Sequence, residues 1–255
     1  MPISLIHAPP REAVTADEAL LDVPGRSRFW MAESPAVVVG LGLHHRLASV
    51  VDLERCRAGG VEVVQRRAGG GALFLDEHVL CGAIAVPISA VSYDVTESYR
   101  WLGDHLVFAL ARLGIQARRV EVPEARADLA ALRPASDVLT NTCYGVLSPH
   151  EVVVDSEHGP AKLVGLAQIR RRDTALFQFG ILLRDQSPLA NFLCLDREAD
   201  RDSLRTALQQ RTVGLESLTT RSASEVTKAV AESIASATPI EADPLPARPH
   251  RTTDS

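Results

Sequence analysis

The spacing of apolar positions changes several times along the chain, and each change marks an element. PAVVVGLGL at 35–43 is short, rich in β-branched residues and bounded by Pro35 and glycines, the pattern of a buried strand. A helix is expected over 46–58, stopped by Gly59 and Gly60. VEVVQR at 61–66 predicts a second strand, Arg66 to Gly71 a turn, ALFL at 72–75 a third strand, and 79–88 a fourth. Val95, Tyr99, Leu102, Leu106, Leu110 and Leu113 recur every three or four residues, which is one face of a long helix ended by Gly114. Three more strands are expected at 151–155, 161–170 and 175–183, joined by turns at His158-Gly159-Pro160 and Arg171-Arg172-Asp173-Thr174. Ser222 and Glu225 have capping-box spacing ahead of Val226, Val230 and Ile234, predicting a last helix. From Thr238 on, four prolines and no core pattern predict a disordered tail, leaving one folded domain over 1–237 and a tail over 238–255. Hairpins and flanking helices without regular βαβ alternation predict an α+β fold with a mixed, mainly antiparallel sheet.

Composition narrows the function classes. With 255 residues and 46% hydrophobic content the chain can bury a sizeable core. A formal net charge of -5 leaves no global basic field to attract nucleic acid or anionic membrane. The longest apolar run, Pro35 to Leu43, falls far short of the ~20 residues of a membrane helix. Met1 to Pro10 lacks a charged leader followed by an apolar stretch. Cys56, Cys81, Cys143 and Cys194 are scattered without a CxxC, as expected of reduced thiols in a cytoplasmic protein. Of 27 basic residues only Lys162 and Lys228 are lysines; coding bias accounts for the scarcity, but each remaining lysine is a candidate for chemistry.

Four places could carry that chemistry. Gly69, Gly70 and Gly71, in RRAGGGALF, either form a bare turn or present N–H groups to a phosphate or carboxylate beside an arginine. Lys162 leads an otherwise apolar strand, as an anion partner or as a solvated edge residue, and Gly165 three residues on suits close backbone approach by a ligand. Cys143 lies in a polar loop, where a thiol is either a nucleophile or a small buried side chain, with His150 near enough in sequence to fold close; Cys81 and Cys194 read as core residues in apolar strands. Glu151 stands eleven residues before Lys162, so a hairpin brings the two together; it is either a Mg²⁺ ligand beside a nucleotide or an ordinary strand-end acid.

Taken in order, RFW at 28–30, SPAVVVG at 34–40, RRAGGGALFLD at 66–76, EVVV from 151, KLVGLAQIRRR from 162, ALFQFGILL from 175 and RTVGLESL at 211–218 resemble the lipoate–protein ligase A family. The resemblance implies a catalytic fold shared with biotin protein ligases and, distantly, class II aminoacyl-tRNA synthetases. It also implies transfer of lipoyl or octanoyl groups to one lysine of a lipoyl domain, in 2-oxoacid dehydrogenases or the glycine cleavage H protein. On that likeness Arg67, Gly69, Gly70, Gly71, Ala72, Phe74, Asp76, Gly165 and Ala167 border the acyl chain and a nucleotide. Lys162 contacts the acyl carbonyl and phosphate, and Glu151 takes the acidic, metal-linked position.

GGGALFLD looks more like the ligase signature, so the first expectation is activation of lipoate or octanoate with ATP and Mg²⁺. The alternative is an ATP-independent octanoyltransferase, which needs no cofactor and takes octanoate from acyl carrier protein, because Cys143 falls where that branch has its nucleophile. A third reading is a non-catalytic lipoyl-binding subunit or sensor, since Leu75 and Phe179 stand where the family has histidines. The lack of the family's C-terminal accessory domain implies a separate accessory subunit.

Overall fold

A computed structural model describes residues 4–133, 137–236 and the backbone of 241–242. Its strands are β1 (Leu5–Ala8), β2 (Arg26–Ala32), β3 (Ala36–Val39), β4 (Glu62–Gln65), β5 (Ala72–Leu75), β6 (Val79–Pro87), β7 (Arg118–Arg119), β8 (Val152–Ser156), β9 (Gly159–Arg171), β10 (Thr174–Leu182) and β11 (Glu241–Ala242). Among the described residues the larger sheet runs β1-β2-β6-β10-β9-β8-β7, with β11 also on β2, and a three-stranded sheet runs β4-β3-β5. Pairing is antiparallel except for β1 and β11 on β2 and β3 on β4. The mixed, mainly antiparallel α+β architecture is the expected one. Of the anticipated tail, Glu241–Ala242 lies beside β2 and the rest lies outside the described residues.

The helices are α1 (Pro10–Ala19), α2 (Leu47–Val50), α3 (Leu53–Ala58), α4 (Val95–Arg112), α5 (Val122–Leu132), α6 (Asp137–Thr140), α7 (Asp200–Arg211) and α8 (Ala223–Ala235). Leu102, Leu106 and Leu110 of α4 are fully buried in one core cluster with Val226, Val230 and Ile234 of α8 and the sheet residues Ile84 and Phe177. Each such leucine contributes about 1.5–3 kcal/mol by leaving water. Asp94 caps α4 by accepting from the N–H groups of Thr96 and Glu97, and Ser222 with Glu225 forms the anticipated capping box of α8.

The helix expected over 46–58 is two short ones. Val51 is drawn out of the helix by an antiparallel bridge to Leu193, and the Asp52 carboxylate then starts α3 by accepting from Arg55 N–H at 3.0 Å. Helices α5 and α7 escape the apolar pattern because each buries few hydrophobic side chains: Ala125 and Leu132 in α5, Leu204 and Leu208 in α7. Cys194 is half-buried after a 3-10 turn rather than in a strand. No helix among the described residues is long and apolar enough to cross a membrane.

Candidate active site

The site is organised by the loop that carries Cys143, which is clasped between the two sheets. On one side Cys143 N–H donates to Ala72 O, and Ala72 N–H to Asn141 O, each at 2.7 Å. The loop runs so close to the glycine turn that a Cβ on Gly71 would stand 2.3 Å from Asn141 O, so only glycine fits there. On the other side the Tyr144 ring lies over Gly165 of β9 and Gly180 of β10, which face each other in register. Its hydroxyl donates to Gly180 O at 2.7 Å. Two strand glycines without side chains thus make the seat for one aromatic ring, and the ring fixes the neighbouring thiol.

Lys162 completes the clasp from below. Its side chain is fully buried, and Nζ donates to Cys143 O at 2.7 Å and pairs with Glu151 at 2.5 Å. The hairpin of β8 and β9 brings acid and lysine together as the eleven-residue spacing anticipated. Burial pushes the Glu151 carboxyl above its ordinary range, while the Lys162 ammonium and the N–H groups of Ser148 and Leu166 pull the other way. With its oxygens engaged by an ammonium and two amides, Glu151 does not fit a Mg²⁺ ligand. Nor could any group of three His, Cys, Asp or Glu among the described residues hold a metal. Glu151 thus stands as the partner of Lys162 in this arrangement.

Two cavities meet at Cys143. One is a mostly apolar pocket of about 50 Å³ between the sheets, lined by Leu73, Leu75, Val79, Gly165, Ala167 and Phe179 among others. The second, of about 300 Å³, opens beside Gly70, Gly71, Leu129 and Ser148. Cys143 and Leu166 line both. An acyl chain in the inner pocket would therefore place its carbonyl end at the thiol, with the outer vestibule leading to solvent.

Several anticipated contacts fall elsewhere. Strand alternation points Leu73 and Leu75 at the pocket and turns Phe74 to the opposite face, where it stacks on Phe192 at 5.4 Å. Its backbone is bracketed there by the Gln186 amide, which accepts from Phe74 N–H and donates to Phe74 O, both at 2.9 Å. Ala72 acts through its backbone, and Gly69 through a carbonyl that accepts from Arg66 at 2.9 Å. Asp76 serves the β5–β6 turn, accepting from His78 N–H. Arg67 is exposed and only its N–H is engaged, by Glu18; the arginine at the site is Arg66, which lines the pocket with Nη2 3.9 Å from Cys143 Sγ. His150 is not beside the thiol: it pairs with Arg119, and burial together with that guanidinium pulls its imidazole below the usual range.

Cys81, expected in the core, instead borders the pocket, as do Asp17, Trp30 and Gln178, which the sequence pattern did not single out. Facing glycines at 165 and 180 were a readable sign that something packs over them; nothing in helix α1 marked Asp17. Asp17 is buried, accepts from Trp30 Nε1 at 2.8 Å and lies 3.4 Å from Arg28 Nε. Burial pushes its carboxyl up to about 7 from 3.8. The folded protein therefore holds a proton that the unfolded chain releases above pH 3.8, so Asp17 costs stability progressively as pH rises towards 7. Asp17→Asn is expected to gain stability over the parent at pH 8, on the order of 4 kcal/mol, and to lose that advantage as pH falls to 4. Urea titrations of both proteins across that range check the sign; a gain that grows at acid pH would be the wrong one.

The lipoyl protein ligase A/B catalytic domain model matches residues 9–235. An octanoyltransferase LipM from Kyrpidia tusciae is 34% identical over 232 residues, covering 89% of this chain and 80% of that protein. A second, from Symbiobacterium thermophilum, is 30% identical over 186 residues, covering 70% and 63%. In fold, the bi-partite lipoate protein ligase of Thermoplasma acidophilum, described with its E2 lipoyl domain, superposes with a TM-score of 0.74 at 20% identity, over 95% of this chain and 86% of that one. A lipoate-protein ligase A bound with ATP gives 0.68 at 20% identity, over 95% and 88%. A match across nearly the whole domain, around a thiol held where two cavities join, establishes that this chain belongs to the lipoyl protein ligase A/B catalytic domain family and is an enzyme of the lipoyl- or octanoyl-transferring type.

Proposed function

We propose that the protein is an ATP-independent octanoyltransferase that carries the acyl group on Cys143 and delivers it to a lysine of a lipoyl domain. The observation that carries this reading is the placement of Cys143 at the junction of the apolar pocket and the vestibule. The names of the relatives support it over the ligase expectation. So does Lys162, whose ammonium is already committed to Glu151 and Cys143 O, and Glu151, whose oxygens leave no place for a nucleotide's metal.

In the first half-reaction the Cys143 thiolate attacks the carbonyl carbon of an octanoyl thioester. The carbon–sulfur bond to the donor breaks, and the donor thiol leaves with a proton. In the second, the deprotonated amine of the acceptor lysine attacks the Cys143 thioester; an amide forms and the thiol is regenerated with the amine's proton. Arg66 sets permanent positive charge beside the sulfur, and the backbone amides of Gly70 and Gly71, at the vestibule, are the candidate donors for the oxyanion. Lys162 acts by holding the loop in place.

Intact mass spectrometry tests this. Purified protein mixed with an octanoyl thioester and no ATP is expected to gain one octanoyl mass, which then moves to an added lipoyl domain. Modification of the domain only when ATP and free acid are both supplied would return the protein to the ligase class.

A further inference from the structure

We infer that the inner pocket carries a hydrogen-bonding wall made by Asp17 and Gln178, and that the acyl group it selects is a medium-length chain with a hydroxyl on one of its last carbons. This rests on the octanoyltransferase reading, which sends the acyl chain into this pocket. Two buried oxygens that the protein leaves without a partner carry it. Asp17 and Gln178 are 3% and 7% exposed, and both line the pocket that meets Cys143. Asp17 Oδ2 accepts from Trp30 Nε1 at 2.8 Å. Its Oδ1 makes no hydrogen bond among the described residues and is only approached by Arg28 Nε, at 3.4 Å and outside bonding geometry. Gln178 Oε1 is likewise buried and unpaired. Buried polar atoms are nearly always satisfied, so two orphans in one mostly apolar pocket point to a group that enters it.

Strand register sets both groups away from the thiol. Gly180, under the Tyr144 ring, lies opposite Cys81 of β6, and Cys81 opposite Trp30 of β2. Two strand spacings, about 9.6 Å, therefore separate Gly180 from the tryptophan that holds Asp17. Two residues along β10 on the same face, Gln178 lies opposite Ala83, and Ala83 opposite Arg28. Asp17 thus reaches the pocket from α1 beside β2, and Gln178 from β10, with only small side chains at Cys81 and Ala83 between their strands. Burial pushes the Cys81 thiol far up, so it adds no charge there. Burial also keeps a proton on the Asp17 carboxyl up to about pH 7, and with Oδ2 occupied that proton belongs on Oδ1. A donor at Asp17 and an acceptor at Gln178 match a hydroxyl, which accepts one bond and donates another. A terminal methyl would leave both oxygens unpaired, an ammonium offers no acceptor, and a carboxylate gives the glutamine oxygen no donor.

The test compares acyl groups on one small donor. Cys143 acylation at pH 6 is followed by intact mass spectrometry with octanoyl-pantetheine and its 6-hydroxy and 8-hydroxy forms, for the parent, Gln178→Leu and Asp17→Leu. The parent is expected to load one of the hydroxyacyl groups about 10-fold or more faster in kcat/KM than octanoyl, and each variant to lose that preference. The ratio is taken within each protein, so a general loss of activity or stability in a variant cancels. If one variant does not fold, the other decides. A parent that loads octanoyl as fast as or faster than both hydroxyacyl groups overturns the inference, as it would if a water satisfied the two oxygens. So does a preference that survives either substitution. If no donor acylates the parent, the octanoyltransferase reading has failed on its own. Calorimetry with octanoic acid and the two hydroxy acids then decides the wall: tighter binding of a hydroxy acid to the parent, lost in Gln178→Leu, upholds it, and absence of that preference refutes it.

Discussion

Cys143→Ser is expected to abolish the acyl-enzyme and reduce transfer to a lipoyl domain by at least ~10³-fold, with little change in stability. The two effects separate because different atoms carry them. The loop is held by backbone groups of residue 143, its N–H to Ala72 O and its O from Lys162 Nζ, and by the Tyr144 ring on the sheet. None of these involves the sulfur. Serine keeps the size but is a far weaker nucleophile without a base, and among the described residues no histidine lines either cavity, His150 being turned to Arg119. Full transfer by Cys143→Ser, or an unaltered rate of octanoyl gain, would remove the thioester from the mechanism. A matching denaturation midpoint for both proteins shows that the loss is chemical rather than structural.

Lys162→Met is expected to destabilise the protein by about 3–5 kcal/mol at pH 8, the range for removing one partner of a buried ion pair. Lys162 is fully buried and Glu151 nearly so, and the remaining carboxylate would keep only the N–H groups of Ser148 and Leu166 as partners. Burial already drives the Glu151 carboxyl upward, and removing the ammonium takes away the largest opposing influence. Glu151 in the variant therefore takes up a proton more readily, and the deficit shrinks as pH falls towards 5. Adding Glu151→Gln is expected to restore part of the stability but not activity, because Cys143 O still lacks its donor. Lys162→Arg rescues neither, the guanidinium being larger than the ammonium that fills this space. Denaturant titrations at pH 5 and pH 8 decide it: a deficit independent of pH would mean that the ion pair is not the source.

How much of this was legible in the sequence depended on the range of the interactions. The α4 stripe from Tyr99 to Leu113, the β8–β9–β10 hairpins and the Ser222 capping box form as the local pattern predicts, while Val95 at the start of the stripe is exposed; each is set by contacts a few residues apart or by one strongly amphipathic face. The 46–58 segment departs from its local pattern because Val51 answers to Leu193, far along the chain. The same contrast runs through the site. Lys162, Cys143 and Glu151 stood out locally, by rarity, by loop position and by spacing. Arg66 and Arg67 are adjacent with identical side chains, and only the turn of the chain places one at the thiol and the other in solvent.

By itself, then, the sequence determined the fold class, the helix and hairpin framework and the three residues at the centre. Periodicity, capping and glycine spacing act within a few residues and survive in one dimension. Tertiary structure alone decided what those residues do. It gave the lysine to Glu151 and the Cys143 carbonyl, turned Phe74 away from the pocket and Leu73 and Leu75 into it, and set Cys143 where two cavities meet. Each outcome depends on which segments meet across the two sheets. Burial and pairing of charge are settled by that encounter, and no local pattern encodes it.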